Sequence, residues 1–312
     1  MKTWLKTALI SGVLCCAVGA VLAAAGMLTG GKQYVQAADI NTLRGDARKT
    51  DSDSLAVLNK QKISGVQALD LALDNLDLKI VPSDDDCCYL SYRIAATGAP
   101  LTYTVQNGTL HLKENDAVQP QVHIDVDFLT DFLTLGRLPE DDDTQTVILS
   151  VPKSQLKQLD IRSSYGDISM RGISAASGSI RCDNGDISLK NCQLSQFTLS
   201  NDYGDIDLER CTLDTADISL YNGEFDAQET AFSGENSITS SYGDVSVSDT
   251  LANLQALTIQ ASTAYGEISV PDGLRAQIRQ TTDDELTDYC HSGTGGSLRV
   301  QADNGDIELS DD

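Results

Sequence analysis

The chain has 312 residues, enough for one large or two modest domains, and a formal net charge of −24. Such a surface repels nucleic acid and anionic lipid headgroups, which excludes nucleic-acid binding, and it attracts cations and basic partners. A solvated acidic exterior that keeps an exported protein soluble accounts for the same charge.

Residues 1–6 carry Lys2 and Lys6, and residues 7–31 carry no charge at all. Crossing a bilayer core takes about 20 apolar residues, and basic residues ahead of the run keep the N-terminus in the cytoplasm. The expectation is a single-pass protein of the cell membrane, with a cytoplasmic tail (1–6), a transmembrane helix (7–31) and the bulk of the chain outside. A cleaved signal peptide is the alternative, since Val35-Gln36-Ala37 resembles a small-residue cleavage site, although 7–31 is long for one. Both readings export the rest. Residues 32–65 are polar with mixed charges and read as a juxtamembrane stalk, helical over 54–59.

Regular pattern begins at Val66. Leu69, Leu71 and Leu73 alternate, then Leu76, Leu78 and Ile80, ending at Pro82. Asn107-Gly108 is a hairpin signal. Residues 122–132 read as a strand or an insertion, Asp141-Asp142-Asp143 as a loop, and Val147, Leu149 and Val151 alternate into Pro152. Residues 66–152 are therefore expected to form an antiparallel β-rich cap.

Residues 153–312 repeat one phrase: Tyr165-Gly166-Asp167-Ile168, Asn184-Gly185-Asp186-Ile187, Tyr203-Gly204-Asp205-Ile206, Asn222-Gly223-Glu224-Phe225, Tyr242-Gly243-Asp244-Val245, Tyr265-Gly266-Glu267-Ile268 and Asn304-Gly305-Asp306-Ile307. The glycines step by 19, 19, 19, 20, 23 and 39 residues. The last step is about two periods, which predicts a degenerate copy near Asp284-Glu285-Leu286. Ahead of the glycines stand Ile161, Ile180, Leu199, Ile218, Ile238, Ile259, Ile278 and Leu298. Behind them, pairs such as Ile168/Met170 and Ile206/Leu208 alternate with period two, the mark of a strand with one buried face. Gly with Asn or Asp ahead of a strand is turn chemistry. A fixed period near 19 residues with no room for a helix predicts an all-β fold: a parallel β-solenoid whose coils stack. The cap would cover the exposed edge of its first coil.

The ordered combination resembles the bacterial putative-adhesin domain of unknown function over 66–309. It is carried by the opening pair Ala68-Leu69-Asp70-Leu71-Ala72-Leu73 and Leu76-Asp77-Leu78-Lys79-Ile80, the strand Val147-Ile148-Leu149-Ser150-Val151-Pro152 ending in proline, and the repeated Gly-Asp-Ile strands. The resemblance implies an exported, envelope-associated β-rich domain, often linked to envelope-stress signalling, and brings no catalytic residues. The chain departs from the pattern over 281–296.

Two columns of residues are candidate sites. Asp167, Asp186, Asp205, Glu224, Asp244, Glu267 and Asp306 share one position in successive coils, about 5 Å apart. Their repulsion would be relieved by a bound calcium ion, the one cofactor considered. Alternatively each carboxylate accepts backbone N–H groups at its own turn. Tyr165, Asn184, Tyr203, Asn222, Tyr242, Tyr265 and Asn304 precede the glycines and, if outward, form a stripe suited to a surface glycan or protein. Cys192 and Cys211, in register with Ile173, read as an inward ladder, bridged or free. His111, His123 and His291 share no motif, and no nucleophile elbow or phosphate loop is present. The leading expectation is a membrane-anchored, non-catalytic binding module of the adhesion type. An envelope-stress sensor acting through a membrane partner comes second, and a polysaccharide-active β-helix enzyme third.

Overall fold

The period-two runs become strands because each buries alternate side chains against the neighbouring coil. The computed structural model describes residues 55–118, 145–282 and 285–311. The chain divides into units Met1–Leu55 and Ala56–Asp312, and the second is described here. The expected tail (1–6) and anchor (7–31), the stalk up to residue 54, and the features at 122–132 and 141–143 lie outside the described residues. Among the described residues no helix is long and apolar enough to cross a membrane.

Among the described residues two sheets carry the coils, one of fourteen strands and one of eleven. In the coil of Gly204, Gln193–Tyr203 runs in the first sheet, the chain turns at the glycine, and Ile206–Glu209 runs in the second. The return is bent twice, at the positive-φ residues Arg210 and Thr215, whose counterparts one coil earlier are Asn191 and Gln196. Stacking is parallel and in register: Leu199 lies between Ile180 and Ile218, and Ile206 between Ile187 and Phe225. All six are essentially fully buried. Gly204 has φ 135°, and a Cβ there would lie 2.3 Å from the Gly185 carbonyl oxygen. Only glycine lets the corners stack this closely.

Three sequence expectations are corrected. Leu55–Ile63 is a strand at the edge of the second sheet, beside Cys88–Ala95, so the helix expected over 54–59 does not form. A free sheet edge overrode local propensity there. The cap is not simply antiparallel. Ala68–Leu73 pairs in parallel with Gln158–Ser163, and Asp77–Pro82 with Ile168–Arg171, so they form a further coil ahead of the first recognised repeat. Its corner, Asn75-Leu76-Asp77-Leu78, has Leu76 in the glycine place. On its far side the turn meets the buried Glu114 carboxylate, which accepts the Asp74 and Asn75 N–H groups at 2.7 and 3.0 Å. Antiparallel pairing is confined to outer strands such as Leu101–Gln106 with Thr109–Glu114 and Cys88–Ala95 with Thr146–Val151.

The third correction changes the order of the stack. The segment near Asp284-Glu285-Leu286 is no coil: Ile278–Thr282 and Glu285–His291 form an antiparallel hairpin, and the latter pairs antiparallel with Thr258–Tyr265. The last coil, Ser297–Asn304 and Ile307–Asp311, does not end the stack either. Ser297–Asn304 lies between Glu235–Tyr242 and Thr258–Tyr265, and Ile307–Asp311 between Val245–Asp249 and Ile268–Ser269. In space the corners therefore run Gly166, Gly185, Gly204, Gly223, Gly243, Gly305, Gly266. The ladder of Ile238 continues through Val300 and Ala261; Ile259 stacks instead on Leu298, and Ile278 belongs to the hairpin. Leu254, Leu274 and Tyr289 are buried beyond the repeats, with the Tyr289 hydroxyl donating to the Leu274 carbonyl at 2.9 Å.

Candidate functional site

The glycine corner sets both candidate columns, because the residues flanking it leave the first sheet and enter the second at the same point in every coil. Register places Asn184 beside Tyr203, Tyr203 beside Asn222, Asn222 beside Tyr242, Tyr242 beside Asn304, and Asn304 beside Tyr265. Extending two residues from the pairs Cys182–Ser163 and Ser163–Leu73 puts Tyr165 beside Asn184 and Asn75 beside Tyr165. Tyr and Asn thus alternate without a break through eight coils. In the sequence the alternation fails at Tyr242 and Tyr265; in the fold Asn304 comes between them. Asn184 and Asn304 donate their side-chain amides to the Ser164 and Ser241 carbonyls of the adjoining coils, at 3.2 and 3.3 Å. These two asparagines tie corners together, and the tyrosine rings stand out.

Tyr165, Tyr203, Tyr242 and Tyr265 are 66, 51, 50 and 79 % exposed. A fifth ring, Tyr221, joins them from the position before Asn222. It packs edge-to-face on Tyr203 and Tyr242, with centroids 6.0 and 5.7 Å apart. Sequence reasoning missed it, since no other coil carries an aromatic at that place. Its signal is compositional: a tyrosine beside the corner of a coil whose pre-glycine residue is Asn.

All seven acids of the second column are exposed. The five aspartates among them each use one oxygen in a regular way. The N–H groups of Asp186, Asp205 and Glu224 donate to Oδ1 of Asp167, Asp186 and Asp205 at 2.9, 2.9 and 2.8 Å. Asp306 donates to Asp244 and Glu267 to Asp306, each at 2.8 Å. The series starts one coil earlier than expected, with Asp167 N–H donating to Asp77 Oδ1 at 3.0 Å. This is the turn-capping arrangement, in which five aspartates, Asp167, Asp186, Asp205, Asp244 and Asp306, each supply the acceptor for the corner of the next coil in the stack. Among the described residues no three His, Cys, Asp or Glu side chains come together as a metal site. On the adjoining outer face Asp207 lies beside Asp226. Asp207 is exposed, yet partial loss of hydration against the stack, and then the charges of Asp226, Asp205, Asp186 and Glu224, hold its carboxyl above the usual range.

The remaining candidates do not converge. Cys192 and Cys211 are buried and free in one inward ladder with Ile173. Burial also pushes the Cys182 thiol up to about 11. His111 Nδ1 lies 2.9 Å from Asp70 Oδ2, and His291 Nε2 lies 2.9 Å from the Gln255 carbonyl; His123 is outside the described residues. An open groove of about 760 Å³ runs past Thr198, Asp217, Glu235 and Arg299, with Asp217 accepting from the Ser237 hydroxyl at 2.5 Å.

Comparison with curated proteins finds no match. Among solved structures, the chain is similar to a putative adhesin from Bacteroides fragilis (12 % identity, TM-score 0.41, covering 84 % of this chain and 98 % of that one). It is also similar to a putative lipid binding protein from Parabacteroides distasonis (16 %, TM-score 0.41, 82 % and 97 %). A third is a putative cell adhesion protein from Clostridium sporogenes (11 %, TM-score 0.30, 83 % and 99 %). Residues 66–310, nearly the span over which the sequence resembles the adhesin-type domain, match the family model described as Toastrack DUF4097, and the chain belongs to that family.

Proposed function

We propose that the protein is a non-catalytic binding module whose Tyr–Asn ridge meets a surface glycan or protein outside the cytoplasm, held at the membrane by residues 7–31. One observation carries this reading. Among the described residues the exposed large hydrophobic side chains are Val57, Val105 and five tyrosines, and all five tyrosines stand at the same corner of the stack. Aromatic rings left in water side by side are what interaction surfaces display, because a ring offers a large contact area and loses little entropy on binding. Stacked backbone on both sides holds the Cα atoms of Tyr203, Tyr221 and Tyr242 in place, so this part of the ridge is ordered before a partner arrives.

Arrays of glycans and peptides probed with the full-length chain test the proposal. Ligands held by the wild type should be lost by the Tyr203→Ser/Tyr221→Ser/Tyr242→Ser variant with its circular dichroism and melting temperature unchanged. Equal binding by both would overturn it. Alkaline extraction of membranes tests the anchor: the chain should stay with the lipid, and release would contradict that part.

A further inference from the structure

Resting on the ridge as the binding surface, we infer that its ligand is an extended basic polypeptide segment with Lys or Arg at alternate positions. Tyr203, Tyr221 and Tyr242 form one continuous strip across three successive coils, because Tyr221 supplies the ring in the coil whose pre-glycine residue is Asn222. Their edge-to-face pairing, at 74° and 76°, leaves each side chain about half exposed. The ring centroids repeat at 6.0 and 5.7 Å. Side chains on one face of an extended peptide recur every ~6.8 Å, close enough for successive ones to meet successive rings.

Charge selects which side chains. The three corner runs 201–205, 220–224 and 240–244 contain Asp202, Asp205, Glu224 and Asp244 and no Lys or Arg. Asp202 is paired with Arg181 at 2.8 Å from the neighbouring coil. Asp205 and Asp244 each use Oδ1 for a backbone N–H, which leaves the second oxygen of an exposed carboxylate. Glu224 is exposed, and its carboxylate has no hydrogen-bond or ion-pair partner within the described residues. Capping alone asks only for an acceptor oxygen, which an asparagine supplies equally well. Three uncompensated negative charges beside a strip of ring faces add a preference for cations. A lysine or arginine stem lies along a ring while its head meets ring face and carboxylate together. An acidic glycan or peptide is repelled from the same place, and a neutral glycan uses the rings but not the charges.

Calorimetry on the full-length chain in detergent micelles tests this with three probes: a peptide alternating Lys and Ser, its counterpart with Glu for Lys, and a neutral hexamer of N-acetylglucosamine. The Lys peptide should bind, the Glu peptide should not, and affinity should fall as salt rises. Tyr221→Ala, and separately Asp205→Asn/Glu224→Gln/Asp244→Asn, should each weaken the Lys peptide by about tenfold. The second variant keeps every acceptor oxygen and so keeps the corner. Lys-peptide binding undiminished by neutralisation, or no binding of that peptide, overturns the inference. Should the hexamer bind in its place and be lost with Tyr221→Ala, the cationic preference falls while the ridge stands. Binding of none of the probes in a Tyr221-dependent way overturns both.

Discussion

The coils from Gly166 to Gly243 stack in the order in which they are made; the coils of Gly266 and Gly305 stack in reverse. Both regions obey the same ladders. A Cβ on Gly204 would lie 2.3 Å from the Gly185 carbonyl oxygen, and one on Gly305 would lie 2.2 Å from that of Gly243, although 61 residues separate the second pair in sequence. What differs is the connection. Successive early coils are joined by a short bent return, whereas Val245–Asp249 leads into the helix Leu251–Ala256 before Thr258–Tyr265 begins. The helical detour places that coil two rungs away and leaves a slot, which the C-terminal coil fills after the hairpin returns the chain. Rung position is thus set by ladder complementarity, and sequence order follows it only where the connection is short.

Removing the interleaved coil should have the largest effect. Truncation after Gly296 takes away Leu298, Val300, Ile307 and Leu309, all buried, and uncovers the coils on both sides. Four such side chains contribute roughly 6–12 kcal/mol, comparable to the whole stability of a domain. Urea melts should lose cooperativity; an unchanged melt would remove the slot from the account. Gly204→Ala comes next, at about 3 kcal/mol, since a Cβ must displace a backbone carbonyl at a φ that L residues avoid. A smaller cost follows for Asp205→Ala, about 1 kcal/mol for the lost acceptor of the Glu224 N–H, with Asp205→Asn near neutral. On the same capping account neither calcium nor chelator moves the melting temperature, and a chelator-sensitive drop would make the column a cation site.

The smallest expected effect is a gain. The folded Asp207 carboxyl holds its proton more tightly than an unfolded one. Stability therefore falls as pH rises from the ordinary carboxylate range through the folded titration, and stays reduced above it. Asp207→Asn should raise the melting temperature slightly at neutral pH, with the gain vanishing in acid below that range. A gain independent of pH would point to packing instead.

The parallel coils and their inward rows were legible because glycine, acid and apolar positions recur at a near-constant step. Copies that broke the step were not. Leu76 hid the coil at Asn75-Leu76-Asp77-Leu78, since its corner packs against the Glu114 carboxylate instead of a stacked glycine carbonyl. The 39-residue final step looked like a missing coil because a hairpin and a coil together span about two periods. The Tyr–Asn stripe was visible, and its one irregularity, Tyr242 followed by Tyr265, held the signal for the true order. Periodicity counts along the chain, whereas a non-local insertion is settled by which surfaces complement each other. Tyr221 stayed hidden for a simpler reason: a single residue has no period.

The order of the rungs can be measured by cross-linking. Thr239 and Gln301 are direct neighbours in the first sheet, and Ser262 lies on the far side of Gln301. Cα atoms of adjacent strands are about 5 Å apart and can be bridged, while those two rungs apart cannot. The account predicts a disulfide, found by peptide mapping, in Thr239→Cys/Gln301→Cys and none in Thr239→Cys/Ser262→Cys. The reverse result would mean that the coils stack in sequence order, and both the slot and the unbroken Tyr–Asn alternation would be gone.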